Sequence, residues 1–523
     1  MSSHEFSSID IQIYRLSWTD SSDNICNLLS ILADFENALK RQQLSARYRG
    51  KLRVIVMSGD TLFDKIWDMH RIHPIGEGRD LIFVDRHILQ ETTCHAAFKG
   101  LDEAGHLVRV TALTCATQDH IVSTELKRTA DSNPGGRELI ELMRRNATRH
   151  GIKLFGLSDA RQGIVHVIGP ELGLVLPGSI VACGDSHTST AGGLGAVGIG
   201  VGTSEVKHVL ATQTLVLPKP KTMRINFEGK VGRGVTAKDL ILHALGKFGI
   251  TVGSGHAIEY AGSAIRALSV EGRLTVCNMS IELGGRLGLI EPDDKTFDYL
   301  KDRVYTPKGD MWEAAYASWQ ELRSDPGAHF DRELTLDVSQ AAPQITWGTT
   351  QEDVVGIDQV LPDPSSIADL DKRERAQAML SYMGLTPGCP IEGVPVDIVF
   401  IGSCTNARLS DLEAAAEIVR GRRVAPNVRA LVVPGSTSVK RAAEENGLDR
   451  IFTEAGFEWR SAGCSMCVSI NEDIVPPGAR CVATSNRNFE NRQGPQARTH
   501  LASPAMAAAS AIVGAITDVR RFG

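Results

Sequence analysis

Three cysteines stand where thiolates could hold a metal: Cys464 and Cys467 in Gly463-Cys464-Ser465-Met466-Cys467, and Cys404 in Gly402-Ser403-Cys404-Thr405-Asn406, 60 residues before Cys464. The count matters. A structural zinc site closes with four protein ligands, whereas a 4Fe-4S cluster on three thiolates leaves one iron open to act as a Lewis acid on a hydroxyl or carboxylate. The CxxC pair alone also fits a redox dithiol or half of a zinc site. Cys404 favours the cluster, because its loop of small residues lets several thiolates and inorganic sulfides crowd together. Cys26, Cys94, Cys115, Cys183, Cys277, Cys389 and Cys481 read as small buried hydrophobes.

A second constellation is Cys183-Gly184-Asp185-Ser186-His187-Thr188, where a carboxylate can orient an imidazole for proton transfer. Ser186 lies between its would-be partners and no GxSxG elbow is present, so a Ser-His-Asp hydrolase is disfavoured. The glycines that follow include Gly193-Leu194-Gly195-Ala196-Val197-Gly198, a GxGxxG match without the acidic residue a dinucleotide site requires downstream. Asp119-His120 and His166 lie beside turn-forming residues. Asn278 and Glu282, at i and i+4, would share one face of a helix. Asn486-Arg487-Asn488-Phe489-Glu490-Asn491-Arg492 puts two guanidinium groups in one loop, an arrangement suited to a substrate with two carboxylates.

The elements that must position these residues alternate between strands and helices, which predicts an α/β fold. Helices are expected near 136–150, 204–214 and from Leu409, and strands at 81–84, 179–182, 396–401, 429–433 and 480–484. Several strands end in the polar loops just described, and open α/β sheets bind ligands beyond the carboxyl ends of their strands. Cys404, Ser436 and Asn486-Arg487 are therefore expected to converge. Residues 1–56 read as an extension, with α/β domains at 57–220, 221–345 and 346–523.

The 523 residues carry a net charge of −6, which leaves no basic surplus for nucleic acid or an anionic membrane. No signal-peptide pattern opens the chain, and the longest apolar run, Ala505 to Ile516, is too short for a membrane span. The irregular cysteine spacing fits a reducing cytoplasm.

Five motifs standing in one order, Asp185-Ser186-His187-Thr188, Cys277-Asn278-Met279, Gly402-Ser403-Cys404-Thr405-Asn406, Gly463-Cys464-Ser465-Met466-Cys467 and Ser485-Asn486-Arg487-Asn488-Phe489, resemble the aconitase superfamily over residues 57–523. Within it, the match is nearest to its isopropylmalate branch. The resemblance implies three α/β domains around a 4Fe-4S cluster held by Cys404, Cys464 and Cys467. It also implies a hydro-lyase that moves a hydroxyl between adjacent carbons of a malate-type dicarboxylic acid, in leucine biosynthesis. Asp119, His120, His166, Asp185, His187 and Glu282 would then be catalytic. Ser186, Asn278, Asn486, Arg487 and Arg492 would bind substrate. The swivelling domain that supplies a general-base serine in relatives is missing from this chain, so a separate small subunit is implied. Ala462, Asn491 and Pro495-Gln496 depart from the pattern of the isopropylmalate branch, which keeps 2-methylmalate or another substituted malate open as substrate. A cluster-sensing RNA binder is the non-enzymatic alternative, with the absence of basic patches against it.

Overall fold

The structure, a computed structural model, describes residues 59–522. The extension at 1–56 and Met57 lie outside the described residues. Helix Leu62–His70 opens the fold, capped by Thr61, whose hydroxyl accepts from the Asp64 amide while the Asp64 carboxylate accepts from the Thr61 amide. A hairpin of β1 (Arg71–Gly76) and β2 (Arg79–Phe83) follows.

The first parallel sheet comprises β3 (Arg86–Gln90), β4 (Thr114–Thr117), β5 (Lys153–Phe155), β6 (Ile180–Cys183) and β7 (Val197–Gly200), in the order β5-β4-β3-β6-β7. Successive residues feed two different cores: Ile88, Cys115 and Val181 pack on one face, Leu89, Ala116 and Ala182 on the other. A period of two with both faces covered explains why the middles of these strands hold apolar or small residues. β8 (Thr214–Pro218) returns to pair with β2.

A second parallel sheet, ordered β11-β10-β9-β12, contains β9 (Lys221–Glu228), β10 (His256–Ala261), β11 (Leu287–Leu289) and β12 (Arg332–Asp337). The small pair β13 (Gln344–Thr346) and β14 (Val354–Gly356) comes next. The third parallel sheet has β15 (Ile398–Ile401), β16 (Arg429–Val432), β17 (Glu458–Trp459), β18 (Arg480–Ala483) and β19 (Arg498–Leu501), in the order β17-β16-β15-β18-β19. The predicted helices appear at Arg137–His150, Thr203–Thr212 and Leu409–Val419. No helix among the described residues is long and apolar enough to cross a membrane.

The first and third sheets meet through backbone. Ile164 N–H donates to Gly435 O at 2.8 Å, Thr437 N–H to Gln162 O at 2.8 Å, and Cys464 N–H to Asp119 O at 2.9 Å. Gly163 is needed here, since a Cβ would lie 2.6 Å from Ser436 Cα. Ser436 caps helix Thr437–Glu445 at this seam, its hydroxyl accepting from Val439 N–H at 2.9 Å, so its role there is structural.

The GxGxxG stretch is also structural. A Cβ on Gly193 would lie 2.6 Å from Leu274 N, and one on Gly198 would fall 1.9 Å from Thr188 O. These glycines let the 3-10 segment Ser186–Leu194 press against helix Val270–Asn278 and β7. Cys389 is a correction to the cysteine reading: it is exposed, because it follows the exposed turn at Thr386–Gly388 and not a core element.

Candidate active site

Three neighbouring strand ends supply most of the carboxylates and imidazoles, and helix Val165–Glu171 adds His166. β3 leads into Glu91, β4 into Asp119-His120, and β6 into Asp185-Ser186-His187; β3 lies between the other two, so their loops adjoin. His120 is held between two carboxylates, with Nδ1 2.8 Å from Asp119 Oδ1 and Nε2 3.1 Å from Asp185 Oδ2. Both ring nitrogens face acceptors, which suits the imidazolium. Burial opposes that charge, but the Asp119 and Cys464 charges and the two hydrogen bonds raise the pKa well above the usual value.

Asp185 collects the other imidazoles. Its Oδ1 lies 2.9 Å from His166 Nε2 and accepts the His187 backbone N–H at 2.7 Å. Burial favours the neutral acid, yet His166 and the hydrogen bonds from the three histidines hold Asp185 well below the carboxylate range. His187 Nε2 reaches Glu282 Oε1 at 3.1 Å, and burial is outweighed by the Glu282 charge and hydrogen bonds, which lift this imidazole to about 9. Glu282 Oε1 also accepts from Arg487 Nε at 2.9 Å, and Arg487 Nη2 donates to Ser186 Oγ at 2.9 Å. Glu282 Oε2 is buried and has no partner among the described residues.

The expected shared helix face of Asn278 and Glu282 does not form. Helix Val270–Asn278 stops at Asn278, and the chain reverses through turns closed by Gly284 at φ +82° and the Gly285 N–H to Ser280 O bond of 3.0 Å. Glu282 enters the chamber from that turn.

The thiols come from the third sheet. Cys404 follows β15, and Cys464 and Cys467 lie in the loop after β17; all three are buried. Cys404 Sγ accepts from Asn278 Nδ2 at 3.2 Å and Asn486 Nδ2 at 3.4 Å, while Ser403 Oγ donates to Cys467 Sγ at 3.3 Å. Asn278 Oδ1 in turn accepts from Thr405 Oγ1 and Asn486 Nδ2. Ser403 (φ +79°) and Ser465 (φ +51°) hold left-handed backbone beside the cysteines, at a cost of roughly 1–2 kcal/mol each. Burial and the Cys467 and Asp185 charges push Cys404 up to about 12; burial also raises Cys464 far above a free thiol, although His120 opposes it. Such thiols ionise only against a strong local cation.

Arg492 stands apart from this network. Its guanidinium carbon lies 5.4 Å from the Phe489 ring centroid, and its Nε is buried without a partner.

Three further residues carry the site and went unmarked in the sequence. Fully buried Glu91 accepts from three consecutive amides: Asp119 at 3.1 Å and His120 and Ile121 at 2.7 Å each. Burial and the Asp119 charge push its carboxyl up to about 7. Fully buried Asp473 accepts from Ser465 Oγ at 2.6 Å, from Arg460 Nη2 at 2.8 Å and from Thr124 Oγ1, tying the CxxC loop to the segment after Asp119-His120. Lys238, also fully buried, donates to the carbonyls of Thr484 at 3.1 Å and Ser485, directly before Asn486-Arg487. Nothing in the local sequence distinguishes them, and the partners of Glu91 and Lys238 lie far along the chain.

The Aconitase family (aconitate hydratase) model matches residues 64–514. The chain belongs to the aconitase family. It is 56% identical over 468 residues to the 3-isopropylmalate dehydratase large subunit 1 of Bradyrhizobium diazoefficiens, covering 90% of this chain and 98% of that one. Among solved structures it is similar to the holo form of Thermococcus kodakaraensis aconitase X, with 13% identity and a TM-score of 0.43 over 82% of this chain and 89% of that one.

Membership in this family implies an iron–sulfur cluster, and the donor geometry fits one. The three cysteine sulfurs do not all lie within 4.8 Å of one another. A single zinc ion with Zn–S bonds of about 2.3 Å would hold its sulfurs within about 4.6 Å, so the spacing suits a larger group. A tighter set of ligand atoms exists, Asp119, His120 and Cys464, but Asp119 and His120 are occupied with each other, Val165 N–H and Asp185.

Proposed function

We propose that this chain is the large subunit of 3-isopropylmalate dehydratase, which interconverts 2-isopropylmalate and 3-isopropylmalate by dehydration and rehydration. A relative of 56% identity that is matched over 98% of its length supports the substrate class. The unpartnered Glu282 Oε2, buried in a chamber shared by three thiols and three histidines, is the observation that carries the chemistry. It is an acceptor held open for a ligand.

Cys404, Cys464 and Cys467 would hold the group as a 4Fe-4S cluster, which when bound would supply a Lewis acid toward hydroxyl and carboxylate oxygen. The remaining work belongs to side chains. Dehydrating a β-hydroxy acid is slow because hydroxide leaves badly and the α-proton is weakly acidic. His120 and His187, held protonated by their carboxylates, and His166 on Asp185, handle the leaving hydroxyl and the water it becomes. Glu282 Oε2 accepts from a substrate hydroxyl, and Asn278 and Asn486 fix the sulfur of Cys404 against movement. Arg487 and Ser186 bind one substrate carboxylate. Arg492, with its free Nε, binds the other and spreads charge that develops as the α-proton departs.

The base for that proton comes from a small subunit bearing the swivelling domain, so this chain alone is expected to be inactive. The active pair works in the cytoplasm. The test is anaerobic co-purification with the cognate small subunit, followed by assays on isopropylmalate, citramalate, citrate and homocitrate. Turnover is expected on isopropylmalate; preference for citramalate would assign the chain to 2-methylmalate chemistry instead.

A further inference from the structure

Lys238 is a buried cation that makes no salt bridge among the described residues. It stands in the first turn of helix Ala237–Phe248, between the second and third sheets, with none of its surface exposed. Its ammonium donates only to the carbonyls of Thr484 and Ser485. An ammonium sealed from water costs several kcal/mol unless anions offset it. The charges that act on it, in decreasing order, come from Glu282, Cys404, Cys467 and Asp411. The carboxylates are already committed: Glu282 pairs with His187 and Arg487, Asp411 is held by Asn406 and the Arg408 amide, and neighbouring Asp239 accepts from Thr236 and the Gln344 amide. The anions left over are the thiolates that form once a cluster is bound, and the loop Lys238 holds leads directly to them: Asn486, next after Ser485, donates to Cys404 Sγ at 3.4 Å. Burial draws the Lys238 pKa down to about 8, against the pull of those same anions.

The geometry points to Lys238 as a positioning residue whose fixed positive charge offsets the negative thiolate–cluster assembly from behind, while its hydrogen bonds set the loop that carries Asn486 and Arg487. This rests on the cluster reading of Cys404, Cys464 and Cys467. It makes the stability contribution of Lys238 depend on loading. In the cluster-free protein the ammonium is an uncompensated burden, and in the loaded protein it is a counter-charge.

The variants K238M and K238Q separate charge from hydrogen bonding. Methionine removes both, whereas glutamine loses the charge and keeps donors for the two carbonyls. The cluster-loaded protein is measured with its small subunit by redox titration followed by electron paramagnetic resonance, and thermal unfolding is recorded with and without cluster. Both variants are expected to move the cluster to lower potential, because removing a nearby positive charge disfavours reduction. K238M without cluster is expected to melt no lower than wild type without cluster, while its gain on loading is smaller. An unchanged potential in K238Q, or equal losses of stability in both loading states, would reduce Lys238 to a loop anchor and overturn the proposal. If wild type itself carries no iron and sulfide, the cluster reading fails first, and that result is visible before any variant is compared.

Discussion

The two halves of the chamber solve opposite electrostatic problems. On the first-sheet side, Asp119 and Asp185 are threaded among His120, His166 and His187, joined by Glu282 from the second-sheet segment and Arg487 from the loop after β18, so that most charges have an opposite partner within about 3 Å. On the third-sheet side, buried Cys404 and Cys467 receive neutral donors from Asn278, Asn486 and Ser403, while Cys464 lies against His120. The first half is organised as it stands. The second is a preformed shell in which burial keeps Cys404 and Cys464 far from ionising despite the pull of Arg408 and His120, so that part of its charge balance awaits a cationic group, with Lys238 a further buried cation nearby. Preorganised proton-transfer groups can thus be built by pairing within the protein, whereas a metal shell leaves part of its charge balance to the metal.

That contrast can be broken most severely at a ligand. Cys467→Ala is expected to abolish iron retention and bring turnover to background; full activity in this variant, assayed with the small subunit, would sink the cluster mechanism. On the paired side, Glu282→Gln keeps the shape but removes the charge that holds His187 protonated. A fall in kcat of about 10²–10⁴-fold is expected, with iron content unchanged. Loss of iron in this variant would show that the two halves are not separable. Asp473→Ala cuts the tie between them and is expected to cost about 1–3 kcal/mol in denaturant unfolding, since it leaves the buried Ser465 and Thr124 hydroxyls without their acceptor and takes from half-buried Arg460 its nearest carboxylate.

The smallest effect is a pH dependence. His187 is raised from 6.5 to about 9, so its ion pair with Glu282 contributes stability that is complete below pH 6.5 and lost as pH climbs through about 9. Thermal unfolding of cluster-free protein should show this decline across that window, and His187→Gln should flatten that part of it.

How far the site was legible depended on the kind of residue. Cysteines, histidines and arginines beside small residues at strand ends are distinctive, and the motifs fell in loops that the parallel sheets bring to one edge. Glu282 was found for an incomplete reason: the helix that was to carry it ends at Asn278, and turns near Gly284 and Gly285 deliver it instead. Glu91, Lys238 and Asp473 left no signal, because their importance lies in amides, carbonyls and hydroxyls reached only after folding; Glu91 is 28 to 30 residues from its partners and Lys238 is 246 and 247 from its own. Ser436 shows the converse, a polar residue at a strand end that caps a helix at a seam. Backbone close approach also decided the glycine-rich run, where a phosphate-binding pattern serves packing against helix Val270–Asn278 and β7.

The most direct test of the thiol half as a cluster shell is the metal and acid-labile sulfide content of the anaerobically purified wild-type protein. The expected result is a brown protein with about four iron and four sulfide per chain. A colourless protein with one zinc per chain and no sulfide would contradict it.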